Sequence, residues 1–367
     1  MTSKERVLAA INHIQPDRVP IDLRFVPEAM QKLKDNLGFS EKDVWDWIKQ
    51  DVVTVRPTFP NPASENRYAD PTIEISEEGY YLDIYRVPFK EVKTGFQTYL
   101  EVAGEPPLQN YQTLDELKSF PWPTTAPWDY STIPSALEAN KDKATWARSR
   151  GCFTTAQMMR GMDTFLTDLA LNPDFACCIL DHIMAFVMDD ARRTLEAGEG
   201  KYTFCEYNDD VASQRSMMMS PDMWREFIKP RTASFCDLVH SYGVKVKYHS
   251  CGSIYAVIPD LIEIGVDILN PIQPLATDMD PFRLKSEFGD RLCFHGGIDI
   301  QELLPNASEQ EVHRQVRKMI DIVGKEGGYI MAGSHTIQAD ADVDNLIAMV
   351  EEARGYSYSH AASPKRG

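Results

Sequence analysis

From about residue 145 onward, short β-branched and aromatic runs alternate with longer amphipathic stretches. The short runs fall at 145–150, 202–208, 244–249, 268–272, 292–295 and 329–332. Between them, 223–241, 253–263, 281–288, 309–323 and 343–351 carry apolar residues at helical spacing. Upstream, 18–25 and 52–55 read as two more strands, preceded by a charged amphipathic helix over 4–13. Repeated strand-then-helix units predict a parallel sheet. Eight such strands predict an α/β fold closed into a TIM-like (β/α)8 barrel, with an open doubly wound sheet as the alternative. No G-x-G-x-x-G follows a strand, so nothing here supports dinucleotide binding.

The pattern changes between about residues 71 and 107. Apolar and polar residues alternate there with period 2, and Gly79 and Gly95 supply turn signals. This segment is expected to be an antiparallel β insertion near the N-terminus of a single domain spanning 1–355, with 356–367 a frayed tail. The chain's 367 residues suit one barrel with an insertion. Net charge is −17 and no Lys/Arg run is present, which argues against a nucleic-acid partner. No apolar stretch approaches the length of a membrane helix, and the charged opening is not that of a signal peptide. The seven Cys are scattered, so reduced thiols in a cytoplasm are expected rather than a disulfide framework. Cys177 and Cys178 fall among Phe175, Ala176, Ile179 and Leu180 on a predicted helix, and are expected in the core.

The chemistry concentrates at the predicted strand ends, where a barrel builds its site. His249 and Cys251 lie two apart on one strand and so point to the same face. Imidazole plus thiolate suits zinc, and Gly252 lets the backbone turn sharply just beyond. His335, at the end of the last strand, is the expected third ligand, with Glu206 and His295 as alternatives. Asp209 and Asp210 are adjacent, so on extended backbone their side chains diverge and one at most faces the site. One of them, with Glu206 and His295, is expected in acid–base or substrate-holding roles; the alternative is that both cap a helix or loop. Arg150 and Arg56 could grip an anion through their forks or form structural ion pairs. Tyr248, Asn270 and Gln273 are further expected substrate contacts. The Met-rich runs at 158–162 and 217–219 suggest an apolar wall.

Several motifs in order carry a family resemblance. They are 220–231 (S-P-D-M-W-R-E-F-I-K-P-R), 248–252 (Y-H-S-C-G), 259–271 (P-D-L-I-E-I-G-V-D-I-L-N-P), 288–291 (F-G-D-R) and 295–299 (H-G-G-I-D). Together they resemble the uroporphyrinogen decarboxylase superfamily, whose fold is a TIM-like barrel. The N-terminal R-P-x-W-x-M-R-Q-A-G-R-Y signature of the decarboxylases is absent. The H-x-C pair is instead similar to the corrinoid-dependent methyltransferase branch, which holds zinc by H-x-C and a later Cys. His335 stands where coenzyme M-type enzymes have that Cys, which brings the chain closer to O-demethylase-type members. The resemblance therefore implies zinc and a corrinoid (cobalamin) carried by a separate protein. It also implies methyl transfer to or from a small molecule, and admits a homodimer. A metal-free decarboxylase of a porphyrinogen-like acid, or a non-catalytic corrinoid-binding or zinc-stabilised partner protein, are the alternatives.

Overall fold

The computed structural model describes residues 1–59, 72–95, 97–356 and 358. Residues 71 and 96 of the expected insertion and nearly all of the expected frayed tail lie outside the described residues. Eleven strands are present among the described residues: β1 (Val52–Thr54), β2 (Thr72–Ile75), β3 (Tyr81–Asp83), β4 (Pro88–Lys93), β5 (Thr98–Val102), β6 (Ala144–Arg150), β7 (Phe204–Asn208), β8 (Lys245–His249), β9 (Ile268–Ile272), β10 (Cys293–Ile298) and β11 (Tyr329–Gly333). None of the described helices is long and apolar enough to cross a membrane.

The chain divides into two compact units, the first formed by 1–54, 140–145 and the part from 267 on, the second by 55–139 and 146–266. In the first unit β9, β10 and β11 pair in parallel. The expected strand at 18–25 is replaced by two single parallel bridges, Ile21 to Met331 and Phe25 to Ile337. Side chains account for the change. Asp51 Oδ2 accepts the Ile21 N–H at 2.9 Å and Gln50 Oε1 accepts that of Leu23 at 3.0 Å. These donors are thus satisfied without a second ladder. The eight expected parallel strands are therefore seven strands plus a bridged segment.

In the second unit β6, β7 and β8 pair in parallel, with Arg148, Glu206 and Lys247 in one row and Arg150, Asn208 and His249 in the next. Alternation sends these six side chains to one face. Tyr207 and Tyr248 point to the other, which helices cover. Tyr207 lies 4.9 Å, ring to ring, from Phe235 of the helix Lys229–Ser241, and its Oη is 3.4 Å from Met184 of the helix Pro173–Gly198. That long helix starts on Pro173 and buries Phe175, Ile179, Ile183, Val187, Ala191 and Leu195, a stripe of four-residue spacing. The predicted helix 223–241 is broken into Pro221–Phe227 and Lys229–Ser241, because Pro230 lacks an N–H and crowds the preceding turn.

The expected antiparallel insertion is present. Strands β2 to β5 form a four-stranded sheet in chain order, all within the second unit. Cys177 and Cys178 are half-buried rather than core residues, with the Cys178 thiol 3.6 Å from His182 Nδ1.

Candidate metal centre

The end of β8 and the loop that follows present the His249 and Cys251 side chains together. Cys251 Sγ lies 3.7 Å from His249 Nε2, as the two-residue spacing predicts. Gly252 turns the chain with φ +84°, and a Cβ there would stand 2.3 Å from Ser213 O. A glycine is therefore required both by the backbone and by the close approach. The loop after β7 runs alongside and is joined to this one rung by rung. Asp209 N donates to His249 O at 2.8 Å, Val211 N to Ser250 Oγ at 3.1 Å, and Ser253 N to Ser213 O at 2.9 Å.

The two aspartates diverge as expected. Asp210 turns toward the pair: its Oδ1 accepts the Cys251 N–H at 2.7 Å and lies 3.6 Å from His249 Nε2. Asp209 turns away and is fully buried. It accepts the Thr154 and Phe153 N–H groups, at 2.7 and 3.3 Å, at the start of the helix Cys152–Arg160. So one of the two does cap a helix, though not the one next in sequence. Gly151 makes room for it, since a Cβ there would meet Asp209 at 2.2 Å. Burial raises the Asp209 carboxyl to about 7, against the helix-start donors that favour its charged form.

The row below the pair is a buried charge cluster. Lys247 Nζ lies 2.8 Å from Glu206 with both side chains almost wholly enclosed, and 4.2 Å over the Trp146 ring. Glu206 is thus committed to an ion pair rather than presented as an acid. Arg150 is paired with Asp83 of the insertion at 2.8 Å, a partner that a reading by strand ends misses; its signal is an aspartate before a tight turn, whose Oδ1 takes the Tyr85 and Val87 N–H groups. Tyr248 sits on the helix side of β8, fully buried, its hydroxyl 3.4 Å from Asp209 O. It supports the loop from beneath rather than lining the face that carries His249.

The remaining predicted residues belong to the first unit. His295 is buried between Asn270, whose Nδ2 is 2.5 Å from His295 Nδ1, and Asp22, whose Oδ2 is 2.9 Å from Nε2. Gln50 Nε2 donates to the other Asp22 oxygen at 2.9 Å. Asp22 was not singled out from sequence; its signal is a polar residue alternating with Ile21 and Leu23. With both ring nitrogens engaged, His295 is a network member. Gln273 Nε2 donates to Ser334 O at 3.1 Å. His335 is exposed, two residues beyond β11. Arg56 is exposed as well.

Comparison with known proteins bears on the family and the fold. Residues 101–356 match the family "Uroporphyrinogen decarboxylase (URO-D)". A methylated-thiol–coenzyme M methyltransferase of Methanosarcina mazei is 23% identical over 216 residues, which is 54% of this chain and 55% of that protein. The chain thus matches about half the length of this curated relative. A solved methyltransferase structure from Methanosarcina mazei superposes with a TM-score of 0.66 at 18% identity, covering 97% of this chain and 99% of the other. That likeness establishes the fold.

Proposed function

Because the chain belongs to the uroporphyrinogen decarboxylase family, we propose that it is a zinc-dependent methyltransferase of that family. It would move a methyl group between a small methoxy or methylated compound and the cobalt of a corrinoid held by a separate protein. The observation that carries the reading is the 3.7 Å separation of His249 Nε2 and Cys251 Sγ. Two ligands of a tetrahedral zinc ion, at Zn–N and Zn–S lengths of about 2.0 and 2.3 Å, stand roughly 3.5 Å apart. The donor set fits the ion in kind as well as in spacing.

His249, Cys251 and His335 are the ligands in this reading, which takes the parallel strands as one TIM-like barrel domain whose strand ends share a rim. Zinc bound there supplies Lewis acidity, the greater for a single thiolate among its ligands, which suits polarising an ether oxygen of a methyl donor. The chain's own groups do the rest. Asp210 fixes the Cys251 backbone and faces the imidazole nitrogen that also faces sulfur. Gly252 allows the thiol to stand beside the imidazole. The buried Tyr248 and Asp209 hold the loop from below.

The test is metal content followed by turnover. The purified protein is expected to hold one zinc, and Cys251→Ser and His249→Ala to lose it. With cob(I)alamin as acceptor, a panel of methoxyaromatics, methylamines, methanol and thiols should show methyl transfer that the two variants lack. Protein without zinc, or variants that retain it all, would sink the reading.

A further inference from the structure

Along the sheet face that carries His249, two cations are neutralised where they stand. Lys247 holds Glu206 at 2.8 Å, and Arg150 holds Asp83 at 2.8 Å. Arg148 differs. Its side chain is 32% exposed, and its charged neighbour is Glu206 at 3.6 Å, the carboxylate Lys247 already occupies. Among the described residues its guanidinium makes no hydrogen bond. Arg148 thus shares a carboxylate that Lys247 approaches more closely, and of the two cations in this row it is the accessible one.

The geometry points to Arg148 as the anchor for the anionic end of the substrate, a planar carboxylate taken by the guanidinium fork. The choice of arginine matters, since its fork matches a carboxylate with two parallel hydrogen bonds. Distance sets the rest of the substrate. Arg148 lies one row below and two strands across from His249. With strands about 4.8 Å apart and about 3.3 Å per residue, their Cα atoms are roughly 12 Å apart. The two side chains extend from one face and take up part of that gap. What remains suits a single aromatic ring with a methyl-bearing oxygen opposite its carboxylate, and is too long for methanol or a methylamine. The carboxylate anchor stands on the sheet geometry alone; placing the methyl-bearing end at His249 and Cys251 rests on the methyl-transfer reading above.

The test uses 4-methoxybenzoate and its neutral counterpart 4-methoxybenzamide as probes, titrated calorimetrically into full-length protein at fixed ionic strength. Wild type is expected to bind the acid at least about tenfold more tightly than the amide. Arg148→Gln should abolish that preference while leaving amide binding unchanged, and Arg148→Lys should restore part of it. Equal binding of the two probes by wild type, binding of neither, or a preference that survives Arg148→Gln overturns the assignment. Cys251→Ser separates the two readings. It should remove methyl transfer to cob(I)alamin and keep the preference for the acid. A wild type that prefers the acid but transfers no methyl group refutes the proposed reaction and upholds the anchor.

Discussion

Replacing Lys247 by methionine is expected to be among the most damaging single substitutions near the site. The lysine side chain is 1% exposed, its Nζ 2.8 Å from Glu206, whose side chain is 2% exposed, and 4.2 Å above the Trp146 ring. At 2.8 Å and an effective dielectric of about 20, the attraction is roughly 6 kcal/mol. Relief of the lysine's own desolvation lowers the net loss to about 3–5 kcal/mol, the usual cost of leaving one buried partner behind. Arg148, at 3.6 Å, places the loss toward the lower part of that range. Methionine fills the space over Trp146, so the loss reports charge rather than a cavity. Urea unfolding followed by far-UV circular dichroism measures it, provided the slopes stay equal between variants. The double variant Lys247→Met/Glu206→Gln, with no buried charge left unpaired, should recover at least about 1 kcal/mol relative to the sum of the single losses. A single-variant loss below about 1 kcal/mol, or strictly additive losses, would refute the account of a coupled buried pair.

Gly252→Ala forces a Cβ within 2.3 Å of Ser213 O at φ +84°; it should lower stability by about 2–3 kcal/mol and reduce zinc content, read by unfolding and by metal analysis. Burial raises the Asp209 carboxyl to about 7 from 3.8, so its contribution is fully present below about pH 4 and is lost as pH rises through about 7. The span is on the order of 4 kcal/mol, and Asp209→Asn should flatten it in urea midpoints measured from pH 4 to pH 8. Asp210→Ala removes the acceptor of the Cys251 N–H and should weaken zinc binding about 10- to 100-fold in competition with a chelator. Asp210→Asn, which keeps an acceptor there, should fall between it and wild type.

The legible parts of the fold were those written in short-range pattern. The pattern predicts strand β9 to the residue, and β6, β7, β8 and β11 within a residue or two, because β-branched runs bounded by turn signals leave little freedom. The proximity of His249 and Cys251 followed from period-2 geometry alone. What escaped depends on partners distant in sequence. Whether 18–25 forms a ladder turned on Gln50 and Asp51 taking its N–H groups. The roles of Glu206 and Arg150 turned on Lys247 and Asp83, neither of which a list of strand ends contains. His295, expected in an acid–base role or as an alternative ligand, has Asn270 and Asp22 on its two nitrogens. Register, rather than composition, decided each of these.

The rungs that join the loop after β7 to the loop after β8 are made by backbone groups and by Asp210 and Ser250. These hydrogen bonds use neither the imidazole of His249 nor the thiol of Cys251, though Asp210 also lies 3.6 Å from His249 Nε2. The hydrogen bonds of this cradle are therefore made by groups other than the imidazole and the thiol. On the proposed zinc reading, metal would leave and return without the chain having to rebuild the loop, so little of the binding free energy would be spent on ordering backbone. Emptied by a chelator, the protein should keep its amide protection along 249–253 and take up fresh metal at once, behaving as a rechargeable holder rather than as a fold that the ion creates.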